Sequence, residues 1–380
     1  MKKYLYQYLF FNVTALIIPV FCILFLYQLG EYENLDSIIN VQQSEKSVYG
    51  TALHSNNDLY KMALLNSASP GIIALGSSRV MQLRQHMFFG NFVNLGGLIN
   101  SINQGLDVAP DIAIKKPNVI LFGIDPWWFN DQFQSPSSQY NRKIYHDYYP
   151  KLGDVKSVLG WFLNGKIPFQ EALKITTTGT SDIGLSGHYK DGFGPDGSYY
   201  YTRLITGKKP HNDKEFRNTY QRIENGNNRF QYSSKSNQIH VDNFVRIVKI
   251  LEQSGAKLII FFPPFANAIN DRLNEMNEAY GYIEDIKSKL RNRGVKFFDY
   301  TNAVFLGSSD CEFIDGFHGG EVTYMRILSD LLHKEPSLKD FVNLKDIRSS
   351  IGKFKGRAFV SDMNVTNIDE VDFLGIGCEK

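Results

Sequence analysis

The sequence has little cysteine, almost no net charge and only one long hydrophobic run. Three cysteines among 380 residues are too few for a disulfide framework or a zinc cluster. Lys and Arg total 41 and Asp and Glu total 39, so the formal charge of +2 gives no basic footprint for nucleic acid. A mean hydropathy of −0.25 excludes a fully membrane-embedded transporter, and 43% hydrophobic with 21% charged residues excludes disorder throughout the chain.

Aromatic residues make up 14% of the chain, with 28 Phe and 21 Tyr. This content exceeds what a core needs, and exposed aromatic rings often line grooves for carbohydrates or apolar ligands. Additional core packing and aromatic loops explain the excess equally well, so both interpretations stay open.

The long apolar run covers residues 10–29 and contains no charged side chain. Twenty helical residues span roughly 30 Å, the hydrocarbon thickness of a bilayer, so we expect a single-pass anchor within residues 1–30. Lys2 and Lys3 predict a cytoplasmic amino terminus at a bacterial inner (cytoplasmic) membrane, with the soluble part in the periplasm or outside. A cleaved signal peptide is the competing interpretation. In either case we hypothesise a disulfide between Cys311 and Cys378.

Short apolar runs that alternate with helical periods predict an α/β fold. Buried strands are predicted over 71–76, 91–95, 118–123, 257–262 and 295–298. Helices are predicted over 100–116 with a break near Pro110, and over 241–254, 268–293 and 321–333. This alternation is typical of a parallel sheet with helices on both faces, here a flavodoxin-like three-layer sandwich.

The alternation covers residues 70–340 with one interruption. Between about 130 and 240 the residues are mainly Gly, Ser, Asp, Asn and Tyr, which predicts a lobe inserted over the carboxyl edge of the sheet. Residues 31–69 are polar and mixed, which is typical of a stalk or linker. Residues 341–380 are predicted to form a C-terminal appendage, with a hairpin as one option.

Chemically active side chains follow the predicted strands at the points where the strands end. Ligands of open α/β sheets bind outside the carboxyl ends of the strands, so these segments are expected to converge on one crevice. In chain order these segments, here called the first to fourth site blocks, are Gly76-Ser77-Ser78-Arg79, Asn94-Leu95-Gly96-Gly97, Gly123-Ile124-Asp125-Pro126-Trp127-Trp128 and Asp315-Gly316-Phe317-His318.

Ser78, His318 and Asp315 have the chemistry of a catalytic triad. A serine needs a base to become a nucleophile, and the base needs an orienting carboxylate, which a pair three residues apart on one turn supplies. The backbone N–H groups of Ser78 and Gly96 are candidates for an oxyanion hole. A phosphate-binding or metal hydrolase is a weaker interpretation, because Asp125, Asp315 and His318 are the only candidate ligands. We therefore expect no metal and no cofactor.

The order of the four segments resembles the SGNH/GDSL hydrolase superfamily over roughly residues 70–335, apart from the insertion. The resemblance implies that Ser78 is the nucleophile, that Gly96 is the second-block glycine, and that Asp315 and His318 form the last block. The third block departs, because Asp125 stands where the superfamily has an oxyanion-hole asparagine. An ionised carboxylate would repel an oxyanion, so Asp125 is protonated, or points elsewhere, or the oxyanion hole uses backbone donors alone.

A membrane anchor combined with Gly-Ser-Ser and Gly-x-Asp-Pro blocks resembles a narrower group, which includes the teichoic acid D-alanyl transfer and alginate O-acetylation proteins. The resemblance implies transfer of an acyl group, such as acetyl, to a cell-envelope glycan, or ester hydrolysis on it, through an acyl-serine. The implied partners are the acceptor glycan, an acyl donor that a membrane-bound O-acyltransferase can supply, and the lipid bilayer. Nucleic acid is not among them.

Aromatic and basic side chains near the site are candidates for substrate contacts. We expect Trp127, Trp128 and Tyr200 to bind sugar rings, and Arg79 to pair with an acidic sugar or a phosphate, although a structural role for Arg79 is the alternative. The second function that the sequence supports is a non-catalytic adaptor that keeps the fold and binds a glycan or a membrane-bound O-acyltransferase. Asp125 and the large insertion motivate that alternative.

Overall fold

A computed structural model describes residues 2–54, 57–133, 148–360 and 369–380. Contacts within the chain divide it into two compact units. Unit 1 consists of Met1–Leu59 and Lys143–Pro195, and unit 2 consists of Tyr60–Arg142 and Asp196–Lys380. The predicted insertion over 130–240 is therefore split: its middle part joins the amino-terminal segment in unit 1, and residues 196–240 belong to unit 2.

The described residues contain strands and helices in alternation. The strands are β1 (Ile72–Gly76), β2 (Phe92–Gly96), β3 (Val119–Gly123), β4 (Asp191–Phe193), β5 (Tyr199–Tyr201), β6 (Lys257–Phe262) and β7 (Phe298–Asp299). The helices are α1 (Lys2–Gln28), α2 (Leu35–Glu45), α3 (Asn57–Ser67), α4 (Ile102–Ile114), α5 (Leu152–Leu163), α6 (Phe169–Thr178), α7 (Gly184–His188), α8 (Thr202–Ile205), α9 (Arg217–Asn225), α10 (Gln238–Glu252), α11 (Asn267–Glu275), α12 (Tyr282–Asn292), α13 (Glu321–Lys334) and α14 (Leu344–Phe354).

Unit 2 is built on a five-stranded parallel sheet, which confirms the predicted α/β class. The strand order is β2-β1-β3-β6-β7. Counted among these five strands alone, this is the 2-1-3-4-5 order of doubly wound sheets, in which the switch point lies between the first and third strands. Each of the first three strands is buried at all five positions, as expected for short apolar runs covered on both faces.

Helices pack on both faces of this sheet. Ala74, Leu121 and Phe261 belong to one core cluster with side chains of α13. On the other face, the ring of Phe122 lies 5.7 Å from the ring of Phe244 in α10. Residues on neighbouring positions of a strand point to opposite faces, so the continuous apolar runs of the strands serve both layers. The arrangement is compatible with a three-layer sandwich.

Two sequence predictions about local structure were wrong. The helix predicted over 268–293 is two helices, α11 and α12, with a break over residues 276–281. Helix α4 continues through Pro110 instead of breaking there. Within the segment predicted as a stalk or linker, α3 contributes Tyr60 and Lys61 as fully buried residues of unit 2.

The carboxyl-terminal segment belongs to unit 2. Helix α14 packs against α13, and the chain returns so that Cys378 forms a disulfide with Cys311, as hypothesised from the sequence. Close to the bond, Lys380 donates a hydrogen bond of 3.1 Å to the carbonyl oxygen of Cys311. The predicted appendage is thus covalently tied to the segment that precedes the last site block. Residues 361–368 of the predicted appendage lie outside the described part of the chain.

Unit 1 contains the helix of the predicted anchor. Helix α1 contacts α5 and α6, and the ring of Phe21 lies 6.4 Å from Phe162 and 5.4 Å from Phe169. The carboxylate of Glu31, just after α1, is buried and accepts hydrogen bonds from the backbone N–H groups of Ala52 and Leu185. These contacts hold the carboxyl end of α1 within unit 1.

A membrane-spanning helix was predicted over residues 10–29. Helix α1 covers this segment up to Gln28. Across the parts of the chain that the structure describes, no helix combines the length and the apolar character needed to cross a membrane. The predicted span is therefore not supported.

Candidate active site

Ser78, His318 and Asp315 form one continuous hydrogen-bonded chain. The hydroxyl oxygen of Ser78 lies 2.8 Å from Nε2 of His318, and Nδ1 of His318 lies 2.7 Å from Oδ2 of Asp315. Ser78 follows β1, whereas the other two side chains lie on the turn before α13, 240 residues away. The structure therefore brings the three predicted side chains together. Their catalytic role stays a prediction.

The turn that carries Asp315 and His318 is stabilised by its own backbone. Oδ1 of Asp315 accepts the N–H groups of Phe317 and His318, both at 2.9 Å. The amide of Ile314 donates to the carbonyl oxygen of His318 at 2.8 Å. Burial alone would raise the pKa of Asp315, but the His318 ring and these N–H donors outweigh it and lower this pKa to about 2. Asp315 is thus ionised at neutral pH and accepts the Nδ1–H of His318, which leaves Nε2 to accept the proton of Ser78.

The same turn is supported by residues 211–219, which sequence reasoning had placed in the insertion and had not connected with the site. Oδ2 of Asp213 accepts the N–H of Gly316 at 3.0 Å and the hydroxyl of Thr219 at 2.7 Å. Nε2 of His211 lies 2.7 Å from the carbonyl oxygen of Ile314. A Cβ atom at Gly316 would approach Thr219 to 2.7 Å, so only glycine fits here. Since the spacing from Asp213 to Gly316 is 103 residues, no local sequence signal reveals the contact.

The end of β2 fixes the segment around Ser78. Asn94 is fully buried, and its side-chain amide donates to the carbonyl oxygens of Val80 at 2.9 Å and Leu83 at 2.8 Å. Oδ1 of Asn94 accepts the N–H of Gly96 at 2.7 Å. Asn94 therefore ties the second site block to the short 3₁₀ helix that begins at Ser78.

Arg79 joins three of the four site blocks from inside the protein. Its side chain is 1% exposed. The guanidinium donates to Oδ1 of Asp125 at 3.2 Å, to the carbonyl oxygen of Phe317 at 2.8 Å, and to those of Pro263 and Pro264 at 2.8 and 2.7 Å. The predicted contact of Arg79 with an acidic substrate is therefore not supported. Arg79 has the structural role that was considered as the alternative.

Asp125 serves as the counter-ion of Arg79. Its side chain is 0% exposed, and burial raises its pKa, although the nearby Arg79 opposes this shift. Oδ1 of Asp125 contacts Arg79, and Oδ2 is buried without a hydrogen-bond partner among the described residues. A buried guanidinium needs an anionic partner, and Asp125 supplies it. Which of the three options for Asp125 at an oxyanion applies stays a prediction.

The predicted oxyanion donors differ in availability. The N–H of Ser78 has no hydrogen-bond acceptor among the described residues. The N–H of Gly96 is already used by Oδ1 of Asn94, and Asp125 is used by Arg79. Of the three predicted oxyanion groups, only the backbone N–H of Ser78 has no hydrogen-bond acceptor among the described residues.

The predicted sugar-binding aromatic residues are buried. Trp127 is 3% exposed, Trp128 is 2% exposed and Tyr200 is 7% exposed. Trp127 packs edge-on against Phe317, with the ring centroids 6.2 Å apart, and Tyr200 lies under the guanidinium of Arg84 at 4.1 Å. Their faces are occupied by protein groups, so sugar stacking on these three rings is not supported.

Within residues 2–54, 57–133, 148–360 and 369–380, no group of three or more His, Cys, Asp or Glu side chains is arranged to hold a metal ion.

No protein-family profile matches the chain, and comparison with curated proteins and with solved structures gives no match either. The geometry of the site is therefore the ground for any functional conclusion.

The ion pair of Arg79 and Asp125 predicts a non-additive pattern of stability. Arg79→Met leaves the buried Asp125 without its cation, so we expect the free energy of unfolding to fall by about 3–5 kcal/mol. Asp125→Asn in the Arg79→Met background removes the stranded carboxylate and should recover part of this loss. Urea unfolding of the wild type, both single variants and the double variant measures the effect. If the losses of unfolding free energy in the two single variants add up in the double variant, the ion pair between Arg79 and Asp125 is contradicted.

The lowered pKa of Asp315 predicts a pH-dependent contribution to stability. Because the pKa falls from 3.8 to about 2 on folding, the ionised carboxylate contributes about 2 kcal/mol, present above pH 4 and lost as the pH falls toward 2. The difference in unfolding free energy between wild type and Asp315→Asn should therefore shrink between pH 4 and pH 2. Urea unfolding across this range measures it, with the exposed Asp340→Asn as a control. If the difference in unfolding free energy stays constant from pH 4 to pH 2, the lowered pKa of Asp315 is refuted.

Proposed function

We propose that this protein transfers an acyl group to, or hydrolyses an ester on, a cell-envelope glycan through an acyl-serine intermediate. The observation that carries the proposal is the hydrogen-bonded chain from Ser78 through His318 to Asp315. Its location at the carboxyl edge of a parallel sheet, beside the switch point of the strand order, is where such folds bind ligands. We assign unit 2 to an SGNH-like three-layer sandwich on the same grounds.

The first half of the reaction forms the acyl-enzyme. Nε2 of His318 takes the proton of the Ser78 hydroxyl, and the serine oxygen bonds to the carbonyl carbon of the acyl donor. The carbonyl oxygen becomes an oxyanion, toward which the free N–H of Ser78 can donate. The intermediate then expels the donor alcohol, which takes the proton from His318.

The second half resolves the acyl-enzyme. A glycan hydroxyl gives its proton to His318 and attacks the acyl carbon, and the serine oxygen leaves with that proton. Water in place of the glycan hydroxyl gives ester hydrolysis by the same steps. The side chain of His318 is 12% exposed and that of Asp315 is 20% exposed, so the base is shielded while Nε2 stays next to the serine.

The compartment is part of the proposal. The disulfide between Cys311 and Cys378 supports a location outside the cytoplasm, in the periplasm or beyond, because such bonds persist in oxidising compartments. An acyl donor delivered by a membrane-bound O-acyltransferase would place the protein at the bacterial inner membrane. The apolar side chains that α1 exposes, among them Leu16 and Ile17, support association with the lipid bilayer.

A non-catalytic adaptor is the second candidate, and two observations favour it. The N–H of Gly96 is used by Asn94, and Asp125 is used by Arg79, so two of the three predicted oxyanion groups are occupied. An adaptor would keep the fold and bind a glycan or a membrane-bound O-acyltransferase without turnover. The two candidates differ in whether Ser78 reacts.

Covalent labelling of Ser78 tests the proposed chemistry. A fluorophosphonate probe should label the wild type at Ser78, as mapped by peptide mass, and should label neither Ser78→Ala nor His318→Asn. Acyl transfer or esterase activity should fall by about 10³-fold or more in Ser78→Ala, because the nucleophile is lost, while the melting temperature stays within a few degrees. Full activity in Ser78→Ala would reject the role of the serine. An unlabelled wild type that still binds its partner would establish the adaptor.

A further inference from the structure

Two arginines next to the triad have no ion-pair partner among the described residues. Arg222 lies in the last turn of α9, and Arg229 lies in the loop that follows. Among the residues that the structure describes, neither guanidinium forms a salt bridge or a hydrogen bond with a protein acceptor. By contrast, Arg217 in the first turn of the same helix is paired with Glu215 at 2.8 Å.

Both guanidinium groups lie over the same aromatic ring. The Cζ atoms of Arg222 and Arg229 lie 5.7 and 5.5 Å from the ring centroid of Phe317, and Arg229 lies 5.8 Å from the ring of Trp127. The ring of Phe317 is in turn 4.4 Å from the ring of His318. Two positive charges are therefore held beside the imidazole of the triad.

The structure holds Arg229 in an unfavourable conformation and environment. Asn228 and Arg229 have φ angles of +47° and +85°, a region that residues other than glycine rarely adopt. Burial lowers the pKa of Arg229, and the neighbouring positive charge of Arg222 lowers it further, against the attraction of Asp125 and Asp315. Those two carboxylates are already engaged, by Arg79 and His318. A bound anion would relieve this repulsion.

We propose that Arg222 and Arg229 form a binding site for an anionic group of the substrate, a carboxylate or a phosphate, next to the nucleophile. Guanidinium groups bind both anions with paired hydrogen bonds. Stacking on an aromatic ring leaves the guanidinium N–H donors available for these bonds. The inference rests on the proposed function for the identity of the substrate as an acidic glycan. The site replaces the role that the sequence suggested for Arg79, whose donors are used inside the protein.

Binding of polymers to the full chain carrying Ser78→Ala tests the site without turnover. The probes are polygalacturonate, which carries carboxylates, polyglycerol phosphate, which carries phosphates, and dextran, which is neutral. We expect an anionic polymer to bind, dextran not to bind, and Arg222→Gln/Arg229→Gln to weaken the anionic binding by about 10- to 100-fold at fixed ionic strength. The matched control, Arg217→Gln in the same helix, should bind as the parent does.

The outcomes distinguish a carboxylate from a phosphate as the bound group. They also distinguish failure of the anion site from failure of the proposed serine chemistry. Stronger binding of polygalacturonate than of polyglycerol phosphate identifies a carboxylate, and the reverse identifies a phosphate. Unchanged anionic binding in the double variant with native circular dichroism, or equally tight binding of dextran, would overturn the site. Arginine-dependent binding together with no fluorophosphonate labelling of the wild type would keep the anion site and reject the serine chemistry.

A separate observation concerns unit 1, where α1, α5 and α6 each expose large apolar side chains. The exposed sides of these three helices are here called the three-helix face. The rings of Phe21, Phe162 and Phe169 pack these helices against one another. Outward from this contact, Leu152 and Leu163 are each 87% exposed. Further apolar side chains of the face that are exposed to solvent are Leu16, Ile17, Leu24 and Leu173. Soluble monomers rarely expose so many large apolar groups together, so the face requires an occupant.

The charges on this face are positive. Lys151, Lys156 and Lys174 are exposed around α5 and α6. The two acidic residues of these helices are paired, since Asp154 accepts from Tyr32 at 2.9 Å and Glu171 lies 2.7 Å from the ring of His188. Apolar groups bordered by free lysines match the surface of an anionic bilayer, in which acyl chains lie beneath negative headgroups.

We infer that the three-helix face lies in the interface of an anionic lipid bilayer. The exposed lysines beside the apolar side chains favour lipid over a protein partner, because they match negative headgroups. A second copy of the chain is the alternative occupant. Because the apolar side chains of α1 would also contribute to vesicle binding, the test must report on α5 and α6 themselves.

A fluorophore at position 163 provides that report. In the full chain with Cys22→Ser, an NBD group is attached to Leu163→Cys and, as the control, to Ile114→Cys, which replaces an apolar side chain 75% exposed in unit 2. With vesicles of phosphatidylglycerol and phosphatidylcholine, we expect dithionite to reduce the label at 163 several-fold more slowly than the label at 114. Equal rates at the two positions, or protection at 163 that needs only a higher protein concentration and no vesicles, would overturn the inference.

Discussion

The buried guanidinium of Arg79 is the interaction on which the geometry of the site depends. Arg79 directly follows Ser78 in the chain. The hydrogen bonds of the Arg79 guanidinium reach the segment after β6, the third block at Asp125 and the turn at Phe317. The carbonyl oxygen of Arg79 itself accepts the hydroxyl of Tyr324 in α13 at 2.5 Å. A buried cation tolerates little displacement, because each lost hydrogen bond leaves charge without a partner. Ser78 and His318, which are 240 residues apart in the chain, are thereby held within hydrogen-bond distance.

This arrangement also limits the site. Asp125, one of the predicted oxyanion groups, is used here as a counter-ion, and the N–H of Gly96 is used by Asn94. The protein therefore gains a rigid link between its blocks and has fewer preorganised donors at the reacting carbon. A site of this kind suits a reaction in which positioning of two substrates matters more than rapid hydrolysis, since positioning contributes through effective concentration.

The sequence was sufficient for the sheet and for the order of the site blocks, and insufficient for what surrounds them. Continuous apolar runs ending in Gly76 and Gly123 are local signals, so the buried strands could be predicted. The role of Arg79 could not, because an arginine next to a serine can equally face solvent or the interior. The support of Gly316 by Asp213 depends on a contact between distant segments. The break between α11 and α12 was missed because the apolar period continues on both sides of it.

The charges around Ser78 are the basis of the proposed anionic substrate. Asp125 is compensated by Arg79, and Asp315 is compensated by the donors of its own turn and by His318. The charges of Arg222 and Arg229 are the excess that remains beside the triad. Beside partly buried side chains such an excess attracts anions and is screened less by salt than at a fully exposed surface. In the proposed reaction the same field would stabilise the negative charge that develops on an acyl carbonyl, so the two proposals call on one arrangement of charges.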